Sequence, residues 1–222
     1  MNRKIVLSAI AATLLGSAAV LAAQAPPAQP MSFFVTSTTP NGSGNLGGLA
    51  GADTICQNLA AAAGAGNKTW HAYLSTQPAN GMPGVNARGR IGAGPWYNAK
   101  GVMIAANVAD LHGDNQRDRN NIQKANMLDE KGTLIKGFGD MPNQHDILTG
   151  SDTEGRAFPA GLDTTCNNWT DATDDHKAML GHADRMGGGN ISWNSVHMSQ
   201  GCSAPKLVAT GGAGHLYCFA IN

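Results

Sequence analysis

The sequence predicts a single α+β domain, a mainly antiparallel twisted sheet with one or two helices, long loops and two disulfides. Three observations carry that expectation. One segment of helical periodicity, Leu49 to Ala63, stands among several short extended runs. The run Leu216-Tyr217-Cys218-Phe219-Ala220-Ile221 is rich in aromatic and branched residues and reads as a buried closing strand. Four cysteines follow an export signal, and in an oxidising compartment they read as two bridges rather than a metal cluster.

Residues 1 to 25 carry Arg3 and Lys4, an apolar run from Ile5 to about Leu21, and small residues up to Ala25. They read as a secretory signal peptide, cleaved between Ala22 and Ala25. Residues 26 to 32 form a Pro-rich, extended linker, and 33 to 222 form the domain. Phe33 to Thr38 is a first strand, and the segment from Pro40 to Asn45 turns the chain. The helix places Ile55, Cys56, Leu59 and Ala63 on one face and stops at Gly64. Trp70 to Ser75 alternates as a second strand. Residues 80 to 94 are surface loop, and 95 to 104 hold two extended pieces about Asn98-Ala99-Lys100-Gly101. Asp114 to Asn121 is a solvated loop, Asp129 to Gly132 a hairpin turn, and Ile147 to Gly150 another core strand. Four cysteines allow three pairings. The expected one is nested, Cys56 with Cys218 and Cys166 with Cys202, because it ties the helix to the closing strand and closes a separate inner loop.

Charge excludes some partners. Arg3 and Lys4 leave with the signal, so 13 of the 15 basic residues face all 15 acidic ones, a net of −2. Such a chain is no bulk partner for nucleic acid or an anionic membrane. No stretch of the mature chain has the length of apolar sequence that a membrane helix needs.

Histidines gather late, at His145, His176, His182, His197 and His215, with Asp146, Asp174, Asp175 and Asp184 interleaved. Neutral imidazole with carboxylate suits zinc, and His145-Asp146, at the mouth of a predicted strand, is the candidate metal pair. No His-Glu-x-x-His spacing occurs. Ser203-Ala204-Pro205-Lys206 matches S-x-x-K, but Pro205 opposes a helix there unless it falls in the first turn. Trp169 and Trp193, flanked by asparagines, either stack on a sugar or fill the core beside the inner bridge.

Several passages together resemble the endostatin-like domain of collagens XV and XVIII, a relative of the C-type lectin fold. FVTSTTPNGSGNLGGLAGADTICQNLAAAAG followed by TWHAYLST is similar to that family's first strand, cysteine-bearing helix and second strand. PWYNAKGVMIAANVADL, DEKGTLIKGFGDMPNQHDILTGSDTEGR, TCNNWTDA and GCSAPKLVATGGAGHLYCFAIN resemble its later segments in order. The resemblance implies the same nested bridges and a bacterial secreted member, some relatives being adhesins for host matrix. Vertebrate members hold zinc with N-terminal histidines and bind heparin through arginine clusters. Here no mature histidine precedes His71, and the arginines are scattered. The lectin side implies a calcium site built on two triplets, here Met141-Pro142-Asn143 and Trp193-Asn194-Ser195, each without its carboxylate.

The expected function is therefore a secreted or periplasmic, non-enzymatic recognition module without a cofactor, calcium and zinc being the ions its residues would take. It binds a glycan or an extracellular or envelope protein, in the manner of matrix adhesion. Its ligand residues are Asn143, His145, Asp146, Trp169, Trp193 and Asn194. The competing readings are a zinc enzyme with a His/Asp site and a structural envelope protein.

Overall fold

A computed structural model describes residues 29–79, 81–113, 120–187 and 191–222. The signal peptide, the start of the linker and most of the Asp114 to Asn121 loop lie outside the described residues. In chain order the elements are β1 (Phe33–Val35), α1 (Gly48–Ala62), β2 (Trp70–Ala72), β3 (Trp96–Tyr97), β4 (Met103–Ala105) and α2 (Val108–His112), then β5 (Asp146–Leu148), α3 (Cys166–Trp169), β6 (Met179–His182), β7 (His197–Met198), α4 (Ala204–Thr210) and β8 (Gly212–Ala220).

β8 is the axis of a six-stranded sheet ordered β1-β8-β5-β6-β7. β1 pairs with residues 217–219 of β8, and β2 pairs antiparallel with 218–220. The two registers overlap, so β2 and β5 share the edge opposite β1. Its alternation divides the core. Leu216, Cys218 and Ala220 pack with Phe34, Leu148, Leu180 and Trp169 under α1, while Tyr217 and Phe219 pack with Phe33, Tyr73, Trp96 and Trp193 on the other face. α1 is held by Ala52, Cys56 and Ala60, four residues apart on one buried stripe. Bridges join Cys56 to Cys218 and Cys166 to Cys202.

Two parts of the predicted fold class need correction. The sheet is mixed, because β8 runs parallel to β5. The chain between them passes through β6, β7 and α4, a crossover long enough to return in the same direction. There are four α-helices among the described residues rather than one or two. α2 opens with Asn107, whose side chain accepts the Asp110 amide, and α4 opens with Pro205 in its first turn, where the missing N–H costs nothing. Both span seven residues or fewer, too short for periodicity to reveal. α3 is a single turn whose residues Cys166 to Trp169 all have positive φ. Among the described residues, no helix is long and apolar enough to cross a membrane.

Candidate metal centre

At one end of β5 the ladder brings Asp146 directly opposite His182 of β6, and the next pairing sets His197 of β7 opposite Leu180. His145 precedes β5 and is fixed by its carbonyl, which accepts the Ala183 amide at 2.9 Å. Gly181 lets the chain close here, since a Cβ on it would lie 1.9 Å from the carbonyl oxygen of Trp193.

The side chains converge on Asp146 Oδ1. His182 Nε2 is 3.1 Å away, His145 Nε2 3.5 Å and His197 Nε2 3.7 Å. His182 Nε2 and His197 Nε2 are 3.2 Å apart. His145, Asp146 and His182 are all buried, and one donor atom from each lies within 4.8 Å of the others. Despite these distances, both oxygens of the Asp146 carboxylate, which is 2 % exposed, lack any hydrogen bond. No hydrogen bond joins the imidazoles to this carboxylate, although His182 Nε2 and His197 Nε2 are within hydrogen-bond distance of each other.

Asp184 orients the first ligand. Its Oδ1 accepts His145 Nδ1–H at 2.8 Å, which leaves the Nε2 lone pair facing the centre. Burial by itself raises the Asp184 pKa, but hydrogen bonds from His145 and from the Phe138 and Met186 amides outweigh it and hold the carboxyl at about 2. His197 Nδ1–H is held in turn by the carbonyl of Met198 at 3.1 Å. His182 Nδ1 has no partner, and that ring is fixed by stacking on His145, centroids 4.1 Å apart. His197 alone of the four reaches solvent, its side chain 38 % exposed.

Spacing and chemistry together indicate which ion the cluster would take. Donors bound at about 2.0–2.2 Å in a tetrahedron stand roughly 3.3–3.6 Å apart. Octahedral neighbours stand closer, at roughly 2.8–3.0 Å. The separations measured from Asp146 Oδ1, 3.1 to 3.7 Å, bracket the tetrahedral value, while the donors of His145, Asp146 and His182 lie within 4.8 Å of one another and His197 stands outside that set. Three imidazoles and one carboxylate suit zinc and not calcium, which takes oxygen ligands. This cluster corrects the expectation of a cofactor-free, non-enzymatic recognition module. A buried carboxylate among three imidazoles, with no hydrogen bond of its own, is costly scaffolding but a fitting metal shell.

The other predicted ligand residues lie elsewhere. Trp169 is buried and donates its indole N–H to the Ser75 carbonyl at 2.7 Å. Trp193 is buried in the second core, and Asn194 donates to the Tyr73 hydroxyl and the carbonyls of Asp152 and Thr153. Asn143 is close to the centre in sequence, but its Oδ1 accepts the His145 amide. The two lectin-like triplets therefore do not assemble a sugar site, and the carbohydrate-binding and adhesion readings fall with them. His176 is spent between Asp163 and Asp171, and His215 is in the core. The sequence does name His182, Asp184 and His197, but no spacing signal groups them with His145. No protein-family model matches the chain, and no curated protein matches it.

Proposed function

We propose that the chain is a zinc-dependent enzyme whose ion is held by His145, Asp146 and His182, with His197 as the fourth, solvent-facing ligand and Asp184 orienting His145. The observation that carries this is the Asp146 carboxylate, buried, without a hydrogen bond, and facing three imidazole nitrogens. Zinc bound in such a shell supplies Lewis acidity toward a carbonyl or a water. Hydrolysis of an ester or amide is the reaction that this chemistry favours. Water adds to the carbonyl carbon, the C–O or C–N bond to the leaving group breaks, and the water proton departs with that group. His197 Nε2, on a two-residue edge strand and partly open to solvent, would be the group placed to take up that proton.

Two disulfides and the basic-then-apolar start support export to a periplasmic or extracellular compartment. Kinship with endostatin-like domains, supported by the sequence passages and the nested bridges, is part of the same proposal. Metal content of the oxidised mature protein is the direct test. One zinc per chain is expected, lost on chelation, regained on titration, and absent from His182→Ala. Protein that contains no zinc and takes up none after chelation would refute the reading.

A further inference from the structure

An exposed phenyl ring stands against His145, and a second exposed apolar residue, Met186, hangs by its amide on the carboxylate that orients His145. Phe138 is 51 % exposed, and its ring stacks on that of His145, with centroids 6.3 Å apart at 28°. Met186 is 44 % exposed. Both residues hang on the carboxylate that orients His145. Asp184 Oδ2 accepts the Phe138 amide at 2.6 Å, and Oδ1 accepts the Met186 amide at 3.0 Å. The two loops meet at Gly187, where an added Cβ would lie 3.0 Å from the Phe138 ring and 3.6 Å from the His145 ring. Any side chain there would displace the phenyl group or crowd the imidazole.

The turn that presents Phe138 is pinned. Gly137 donates its amide to Asp140 Oδ2 at 2.8 Å. Lys124 pairs with that carboxylate at 2.8 Å and donates to the Phe138 carbonyl. Leaving a phenyl ring in water forgoes burial energy, and these bonds hold it there, against a metal ligand.

We propose that Phe138 and Met186 form the specificity surface of the centre, and that its substrates are esters or amides bearing an apolar aliphatic or aromatic group on the acyl side. This rests on the zinc reading of His145, Asp146, His182 and His197. Hydroxamates, which ligate metal through a fixed head and carry a variable tail, test it on the oxidised, cobalt(II)-loaded protein, whose visible spectrum reports ligand binding. Octanohydroxamate is expected to bind at least ~10-fold more tightly than acetohydroxamate, since each buried methylene contributes a few-fold. In Phe138→Ser that advantage falls below about threefold, with the spectrum of the probe-free protein unchanged. Equal affinity for the two probes in the wild type overturns the proposal, and so does a preference that survives in both Phe138→Ser and Met186→Ser. A cobalt spectrum that no hydroxamate alters overturns it together with the enzyme reading, while leaving the ligand set standing. No cobalt spectrum at all refutes the metal centre itself.

Discussion

Replacing Asp146 by asparagine separates a metal centre from a polar knot in the core, because the two predict opposite signs. Without metal the wild-type carboxylate is buried, can only accept, and receives no hydrogen bond. An amide of the same shape can donate to the His145 Nε2 lone pair 3.5 Å away, and it carries no charge to desolvate. Chelated Asp146→Asn should therefore equal or exceed chelated wild type, by roughly 1–3 kcal/mol. With zinc the order reverses. Free ion at a hundred times its dissociation constant stabilises the wild type by about 2.7 kcal/mol. For a domain of this size that is a rise of about 5–11 °C in midpoint, and Asp146→Asn should show almost none of it. Thermal unfolding by circular dichroism, under non-reducing conditions with and without zinc, reads both signs. A variant that loses stability after chelation yet keeps the zinc shift would refute the assignment of Asp146 as a ligand.

Further expectations follow from neighbouring features. Asp184→Asn should weaken zinc binding roughly 10–100-fold without abolishing it, measured by competition with a chromophoric chelator. Asn194→Ala should cost about 1–3 kcal/mol, since it removes a donor from the Thr153 carbonyl and from the Tyr73 hydroxyl and Asp152 carbonyl, which keep His112 Nε2 and the Gly155 amide, yet leave zinc affinity unchanged. A loss of affinity would place Asn194 at the metal after all. Burial depresses the His215 pKa from 6.5 to about 4, although the charges of Glu130 and Asp129 oppose the shift. The unfolded chain therefore binds a proton that the folded chain refuses, and stability falls as pH drops from about 6.5 to about 4. On the order of 3 kcal/mol is lost over that window. Urea titrations of the chelated protein across pH should show the slope in wild type and a flatter one in His215→Gln. Removing the Cys56 and Cys218 pair, 162 residues apart, should cost about 5 kcal/mol, against about 4 for the pair 36 apart.

What the sequence discloses depends on the range of the interaction. α1 is legible because its apolar positions repeat within fifteen residues, and β8 because aromatic and branched residues crowd into one run. The bridges follow once those two elements are placed. The metal centre is not legible in this way. His145 and Asp146, His182 and His197 come from three neighbouring strands, and their meeting is fixed by ladder register, Asp146 against His182 and His197 against Leu180. No spacing along one strand encodes which residue of another will face it. Trp193, flanked by Asn194, reads in the sequence either as a sugar platform or as core filler, and the structure takes the second reading. Gly181, by admitting their backbone against β6, sends them into the core. α4 is hidden for a different reason, since Pro205 discourages a helix at every position but the one it occupies.

β8 follows every other element in the chain, yet it lies between β1 and β5 and carries Cys218. A polypeptide threaded into an oxidising compartment from its N-terminus presents Cys56 first and Cys166 next, long before the strand that holds the native partner of Cys56. Thiols oxidised in order of arrival join the wrong pair, and thiol–disulfide exchange must then undo it. Until that exchange is complete, β1, β2 and β5 have no central strand to pair with. For a chain exported as proposed above, the topology would therefore call for disulfide isomerisation, with the His145, Asp146 and His182 cluster among the last parts of the molecule to assemble.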